Sequence, residues 1–227
     1  MLWLFYPETL FVLLPALILA IYAQYRVRST YAKYINVPLQ RRISAGQVAE
    51  VILREAGVSG VKIETTNRTL GDHYDPRAKA LRLSAPNSPS VAAVGVAAHE
   101  AGHAIQHAQD YAPLALRSTI VPVANFGSQL ALPLFVIGLL FQSELFVNIG
   151  IILFSAAVLF TLVTLPVEFN ASRRAIAALS SSGIVTREEL GGVKQVLTAA
   201  ALTYVAAAAM AALQLLSMLL ISRRRQG

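Results

Sequence analysis

The 227-residue sequence contains no cysteine and few charged residues. The absence of cysteine excludes a disulfide scaffold, a thiolate metal site, a CxxC redox motif and a cysteine nucleophile. Charged residues make up only 14% of the chain, whereas ordinary soluble domains contain about 25%. Hydrophobic residues make up 56%, and the mean hydropathy is +0.57. Because this composition provides too little polar surface for a water-soluble domain, it predicts an integral membrane protein.

Four apolar segments are long enough to cross the hydrocarbon core, which takes about 20 helical residues. They are Leu2–Tyr25, Thr119–Phe141, Phe146–Phe169 and Val196–Ser222. The first has aromatic residues at both ends, as membrane interfaces favour, and lacks the basic start of a signal peptide, so we expect an uncleaved anchor. These aromatic residues are Trp3, Phe5, Tyr6, Tyr22 and Tyr25. The second and third segments are separated only by residues 142–145 and should form a helical hairpin.

Cationic side chains predict the orientation in the membrane. Lys and Arg outnumber Asp and Glu by 19 to 12, with twelve of the 19 in residues 26–117, four in 170–195 and none in 142–145. Because cytoplasmic loops are rich in Lys and Arg, both basic segments should be cytoplasmic and the N-terminus outside. We therefore expect the charge to set topology, with no nucleic-acid partner. A fourth full span would place the arginines at 223–225 outside, against this rule. Either this basic tail is tolerated there, or the last segment re-enters the membrane or lies at its interface.

Residues 26–117 are the main hydrophilic region and predict a mixture of helices and strands. Ser44 and Gln47 form a capping-box pattern that opens an amphipathic helix. Alternating side chains predict strands at 61–64 and 80–84, with a turn at 72–77. Ser88-Pro89 is the predicted N-cap and first residue of the next helix.

That next helix contains the motif His99-Glu100-Ala101-Gly102-His103. Residues four apart on a helix point the same way, so both imidazoles can bind one Zn²⁺. Glu100 can then take a proton from water and pass it to a leaving amine. The flanking residues are uncharged, and a buried charged pair is costly unless something matches it. This favours a zinc site over two histidines at a membrane-proximal surface.

A third protein ligand is expected, and His107 and Glu168 are the candidates. His107 lies eight residues after His99, about 12 Å along a helix, so we interpret it as a supporting or packing residue. Glu168 ends the third apolar segment, where a carboxylate is costly and is a functional candidate by default. The predicted hairpin would return it to the face of the HExxH helix. The alternative is that Glu168 pairs with Arg173 or Arg174.

Three motifs, HEAGHAIQH, GDHYDPRAKALRLS and EFNASRRA, together resemble the YugP-type bacterial membrane zinc metallopeptidases over nearly the whole chain. The layout is more distantly similar to the HtpX-like and CAAX-prenyl membrane proteases, gluzincins that pair HExxH with a downstream glutamate. The resemblance implies a zincin-like catalytic region. It also implies His99, His103 and Glu168 as zinc ligands, with Glu100 as the catalytic base.

One position departs from those distant relatives. Their second motif is ExxxD, in which the aspartate supports a ligand histidine, but the matching residue here is Ser172. A metal-bound histidine needs an acceptor for its other ring N–H. The candidates for this supporting role are His107, Asp110 and Ser172, with Asp72 or a backbone carbonyl as further possibilities.

The fold class expected is therefore mainly α, an integral membrane protein with about four transmembrane helices and a small α+β zincin-like region. We expect a membrane anchor at 1–25, a cytoplasmic catalytic region at 26–117 and a transmembrane hairpin at 118–169. A cytoplasmic helical segment at 170–195 and a hydrophobic helix with a basic tail at 196–227 complete the chain.

The function expected is that of a multi-pass zinc endopeptidase of the bacterial plasma membrane, with its active site towards the cytoplasm and a peptide or membrane protein as substrate. His73 and Tyr74 are candidates for stabilising the oxyanion, and the strand at 80–84 could pair with substrate as an added strand. Arg173 and Arg174 are candidates for binding a peptide carboxylate or lipid headgroups.

Two other classes of function compete with a peptidase. One is a catalytically silent membrane scaffold that keeps the metal site and binds partners. The other is a transporter, which would need ionisable residues in mid-membrane, whereas Glu144 lies in a linker and Glu168 at a boundary. The partners expected besides lipid and substrate are other membrane proteins or further copies of this chain.

Overall fold

A computed structural model describes residues 8–68 and 71–226, and over these residues the chain is mainly helical with one small sheet. The helices are α1 (Glu8–Tyr34), α2 (Ala45–Glu55), α3 (Val91–Ala108), α4 (Ala112–Leu140), α5 (Glu144–Ser181) and α6 (Arg187–Gln226). The strands are β1 (Lys62–Thr65), β2 (His73–Asp75) and β3 (Ala80–Leu83). This architecture confirms the predicted fold class.

Four of the described helices are long and apolar enough to cross a membrane, as predicted. These stretches are Thr9–Tyr34, Ala112–Leu140, Glu144–Ser181 and Arg187–Arg224. All four helices extend past the predicted limits, because α1 passes Tyr25, α4 begins before Thr119, α5 passes Phe169 and α6 begins well before Val196. A helix need not end where its apolar run ends, since polar residues with good helix propensity can extend it. Trp3, Phe5 and Tyr6 lie outside the described residues.

The chain divides into two compact units. Residues 8–24, 115–166 and 203–226 form what we call the apolar unit. Residues 25–114 and 167–202, apart from 69–70, form the HExxH unit. The division falls inside α1, α4, α5 and α6. The predicted segment 170–195 is the end of α5, a turn and the start of α6.

In the apolar unit, α4 and α5 pack antiparallel, as the predicted hairpin requires. Glycines allow the two helices to approach closely. A Cβ on Gly138 would lie 2.5 Å from the backbone nitrogen of Val147, and one on Gly150 would lie 2.8 Å from the carbonyl oxygen of Ala131. Small residues at such contacts are typical of helices that associate in membranes, where packing replaces the hydrophobic effect.

The three-stranded sheet of the HExxH unit has the order β1-β3-β2, with β3 parallel to β1 and antiparallel to β2. Two predictions are corrected here. The segment predicted as a turn at 72–77 contains the strand β2. The strand predicted at 80–84 is central and paired on both sides, so it has no free edge for a substrate strand.

Helices α2 and α3 of this unit both begin at serine caps. At α2, Ser44 accepts a hydrogen bond from the backbone N–H of Gln47, and the Gln47 side chain accepts one from the backbone N–H of Ser44, which confirms the capping box. At α3 the N-cap is Ser90 rather than Ser88. The Ser88 hydroxyl donates to the Ser90 hydroxyl instead, so the helix begins two residues later than predicted.

Helix α3 is the core element of this unit, since most of its side chains are buried. Val94 and Ala97 have no exposed surface, and they belong to one cluster with Ile52 of α2 and Leu81 and Leu83 of β3. Burial of this apolar helix on several sides holds the HExxH residues in fixed positions.

Candidate metal centre

Three side chains of the HExxH unit converge on one point. His99 and His103 lie one turn apart on α3, and Glu168 reaches them from α5. The Glu168 Oε2 atom lies 3.2 Å from His99 Nε2 and 3.6 Å from His103 Nε2. His103 and Glu168 are buried, with 9% and 3% of their surface exposed. The structure therefore brings together the two motif histidines and the predicted third ligand.

The spacing of these three atoms fits a zinc ion. In a tetrahedral site with bonds of about 2.0–2.1 Å, two ligand atoms lie about 3.3–3.4 Å apart. The distances of 3.2 Å and 3.6 Å bracket that value, and all three ligand atoms lie within 4.8 Å of one another. Two imidazoles and one carboxylate are also the donor set of many catalytic zinc sites, which keep a fourth position open.

A glycine inside the motif explains how Glu168 reaches the histidines. A Cβ on Gly102 would lie only 2.6 Å from the carbonyl oxygen of Ala171 in α5. Any side chain at this position would push α5 away from α3. The glycine therefore permits the close approach that carries Glu168 to the two imidazoles.

Each candidate ligand histidine has a partner for its second ring nitrogen. His99 Nδ1 lies 3.1 Å from the Ser172 hydroxyl, and His103 Nδ1 lies 2.9 Å from the side-chain oxygen of Gln106. When each Nδ1 carries the proton and donates it to these oxygens, each Nε2 has a free lone pair facing Glu168. Ser172, at the position of the aspartate in the distant relatives' motif, is thus in contact with the second ring nitrogen of His99.

Gln106 is the main residue that sequence reasoning missed. It has no exposed surface, and besides accepting from His103 it donates to the Val167 carbonyl and to the Asn170 side chain, both at 2.9 Å. Asn170 also accepts a hydrogen bond from Arg174 at 2.7 Å. The signal in the sequence was a polar residue three positions after His103 in an otherwise apolar helix.

Glu100, the predicted base, is 8% exposed and belongs to the same helix. Burial, the largest effect on the His103 ring, opposes its protonation, but the hydrogen bond to Glu168 and the charges of Glu100 and Glu168 outweigh it, so the pKa of His103 is raised. Two carboxylates thus make positive charge favourable where the ligand atoms meet, which suits a divalent cation.

His107 and Tyr74 contact each other instead of the ligand histidines. The Tyr74 hydroxyl lies 2.9 Å from His107 Nδ1, and the two ring centroids are 5.8 Å apart. Of the two roles expected for His107, the structure shows the packing one, because its ring contacts Tyr74, while Ser172 and Gln106 lie beside the second ring nitrogens of the candidate ligands.

Three other candidates also lie apart from the ligand cluster. His73 is exposed, and its Nδ1 lies 2.8 Å from the Gly71 carbonyl oxygen. The Asp72 carboxylate accepts hydrogen bonds from the backbone and hydroxyl of Ser84 at 2.7 and 2.8 Å. Asp110 is exposed just after α3. None of the three supports a ligand histidine in the described structure.

The alternative partners proposed for Glu168 are engaged elsewhere or exposed. Arg174 donates to Asn170 at 2.7 Å and to Gln109 at 2.6 Å. Arg173 is exposed. Glu168 faces the two histidines, so its location at the end of an apolar run has a local explanation other than an arginine pair.

Replacing Gln106 with leucine should weaken both the fold and metal binding. The change leaves the ring N–H of His103 without its acceptor, at about 1–3 kcal/mol for an unsatisfied buried group. Loss of a group that orients a metal ligand typically lowers metal affinity about 10- to 100-fold. Competition with a zinc-sensitive dye measures the affinity, and chemical denaturation measures the stability.

The matched control is Gln195→Leu, the same exchange at an exposed position of α6. It should leave zinc affinity unchanged. Equal zinc affinity in Gln106→Leu and the wild type would show that Gln106 does not position His103.

Comparison with known proteins identifies the family of this chain. The model of a family described as "Putative neutral zinc metallopeptidase" matches residues 9–223. The chain belongs to this zinc metallopeptidase family. It is also 45% identical over 214 residues to the "Putative membrane protease YugP" of Bacillus subtilis (strain 168), covering 93% of this chain and 95% of that protein. No solved structure matches the chain.

Membership in the zinc metallopeptidase family confirms the resemblance drawn from the three motifs. The family match extends over all four apolar helices as well as the HExxH unit. The family name refers to zinc, and the cluster of His99, His103 and Glu168 could hold such an ion.

Proposed function

We propose that this member of the zinc metallopeptidase family is an endopeptidase that cleaves peptide bonds at the cytoplasmic face of the bacterial plasma membrane. His99, His103 and Glu168 hold the zinc ion, and Glu100 is the catalytic base. The observation that carries the proposal is that Glu168 Oε2 lies 3.2 Å and 3.6 Å from the Nε2 atoms of His99 and His103. Both histidines are on α3, the helix that also bears Glu100.

Zinc bound at this centre would polarise the scissile carbonyl and make water easier to deprotonate. Glu100 takes a proton from the attacking water and later gives it to the leaving amine. Ser172 and Gln106 fix the tautomers of His99 and His103, so that both Nε2 atoms stay available to the metal.

Strand β2 is the element we propose for pairing with substrate. In the described sheet order β1-β3-β2 it has one free edge, and its Tyr74 contacts His107 of α3. An extended peptide added along this edge would run beside the helix that carries Glu100. We therefore propose β2, in place of the β3 strand expected from the sequence, as the strand that pairs with substrate.

The cytoplasmic orientation is a proposal from the distribution of Lys and Arg, and single-cysteine labelling tests it. Because the chain has no cysteine, one introduced thiol reports one position. A membrane-impermeant maleimide should label Ser143→Cys, between α4 and α5, in intact cells. It should label Ser181→Cys, at the end of α5, only after permeabilisation. The reverse pattern would place the HExxH unit outside.

The peptidase activity is tested with the full-length protein purified in detergent. A peptide library derived from a proteome, analysed by mass spectrometry, reveals cleavage even when the physiological substrate is unidentified. Cleavage by the wild type and its loss in Glu100→Gln, with zinc retained, are the expected results. A wild type that binds zinc but cleaves nothing would favour the silent scaffold.

A further inference from the structure

A cavity lies in the HExxH unit, and none of the three candidate ligands lines it. Its volume is about 270 Å³, and its lining includes Ser59, Tyr74, Lys79, Ala104, His107 and Ala108. Neither the proposed mechanism nor the family description gives this cavity a function. Its lining is unusual because it contains a lysine, a histidine and a tyrosine but no aspartate or glutamate.

Helix geometry connects this cavity to Glu100. Ala104 and Ala108 follow Glu100 at intervals of four, so the three residues form one stripe on α3. Ala104 lies about 6 Å along the helix axis from Glu100. An extended peptide advances about 3.3 Å per residue, so for a peptide that runs parallel to α3 the cavity would begin about two residues away from the scissile bond.

The Tyr74–His107 pair offers a hydrogen-bond donor to a ligand in either tautomer of the ring. The pair contains one hydroxyl proton and, when the ring is neutral, one ring proton. The single hydrogen bond between Tyr74 and His107 Nδ1 uses one of them. If the hydroxyl donates, Nε2–H remains free; if Nδ1–H donates, the hydroxyl proton remains free.

Tyr74 also keeps its proton at neutral pH. Burial, and secondly the charge of Asp75, raises the pKa of the Tyr74 hydroxyl. Asp75 itself does not act as a free anion near the cavity. Its carboxylate accepts hydrogen bonds from the backbone of Arg77 and Ala78 and pairs with Arg82 at 2.8 Å.

Lys79 supplies a positive charge to the same cavity. Its side chain is exposed, and among the residues that the structure describes no carboxylate lies within 4.0 Å of its ammonium group. A cation without a partner next to a fixed donor matches a carboxylate, which accepts charge-assisted hydrogen bonds from both.

We propose that this cavity binds a carboxylate of the substrate, either an acidic side chain about two residues from the scissile bond or the α-carboxylate of a peptide end. Lys79 and the Tyr74–His107 pair are the residues that recognise it. The inference rests on the proposed peptidase function, and it names the chemical group that the same site recognises, a carboxylate near the scissile bond.

Matched synthetic peptides test this inference with the full-length enzyme. The reference is a peptide that the wild type cleaves and that has a glutamate near the scissile bond. It is compared with the same peptide carrying glutamine in place of that glutamate, and with the same peptide amidated at its C-terminus. We expect loss of the recognised carboxylate to lower kcat/KM about 5- to 30-fold, mainly through KM. Loss on Glu→Gln identifies the side chain, and loss on amidation identifies the peptide end.

Lys79→Gln should lower cleavage of the acidic peptide by a similar factor and leave cleavage of the uncharged form unchanged. The control is Arg77→Gln, which removes an exposed cation of the same turn that does not line the cavity. Equal cleavage of charged and uncharged peptides by the wild type would overturn this inference and leave the proposed peptidase function standing. An equal loss for both peptides in Lys79→Gln would also overturn it. A wild type that cleaves no peptide would overturn the proposed function with it.

Discussion

Glu100→Gln should abolish peptide cleavage while leaving zinc bound. Glutamine has nearly the same shape as glutamate but cannot accept a proton from water, and general acid–base catalysis contributes about 10²- to 10⁴-fold to rate. Glu100 is not among the three converging ligand atoms, so its exchange removes a proton acceptor and no ligand. We therefore expect kcat to fall by about this factor, with little change in KM.

Two measurements on one preparation distinguish the roles of Glu100. Zinc content per chain, measured by mass spectrometry of the metal, should equal that of the wild type. Cleavage of the peptide library should fall to background. The control is Glu50→Gln, the same exchange at an exposed position of α2. This variant should keep both the zinc content and the cleavage of the wild type. Cleavage that survives in Glu100→Gln would exclude Glu100 as the base, and loss of zinc would make it a ligand.

Glu168→Ala should lose zinc. The carboxylate supplies one of three protein ligand atoms, and it is only 3% exposed. Loss of a residue behind a ligand already costs about 10- to 100-fold in metal affinity, so loss of a ligand should cost more than about 100-fold. Dialysis against a weak chelator should then remove zinc from the variant and leave it in the wild type.

Glu144→Ala is the matched control, because it removes an exposed glutamate from the same helix. Its zinc content should not change. Circular dichroism shows whether Glu168→Ala keeps its helices, and Glu168→Gln, which keeps the shape of the side chain, covers the case in which the alanine variant does not fold. Full zinc content in a folded Glu168→Gln and in Glu168→Ala would rule out Glu168 as the third ligand.

The sequence was most informative where a feature is local or strongly periodic. His99 and His103 are four apart on one helix, so their convergence follows from helix geometry alone. The four apolar helices and the α2 capping box likewise depend on nearby residues. Glu168 is distant in sequence, but the cost of a carboxylate in an apolar helix made it recognisable.

The features that were missed depend on contacts between distant segments. β3 is central because both β1 and β2 pair with it, and a single strand pattern does not show how many partners it has. Gln106 acquires its role only when α5 brings Val167 and Asn170 to it. Ser172 likewise supports His99 only because Gly102 lets the two helices approach.

The composition acquires a more specific meaning at this centre. With no cysteine in the chain, a metal site must use nitrogen and oxygen donors, and the structure brings two imidazoles and one carboxylate together. The low charge content also makes each buried ionisable residue conspicuous. Glu100, His103, Glu168 and Glu189 are the buried ionisable side chains of the described residues, and three of these four belong to the proposed site.

Anomalous X-ray scattering at the zinc absorption edge, from crystals of the full-length protein, tests the central claim most directly. The account predicts one zinc peak per chain, bonded to His99 Nε2, His103 Nε2 and a Glu168 oxygen at about 2.0–2.1 Å. A zinc ion bound by other residues, or no zinc at these three in protein purified with the metal, would contradict it.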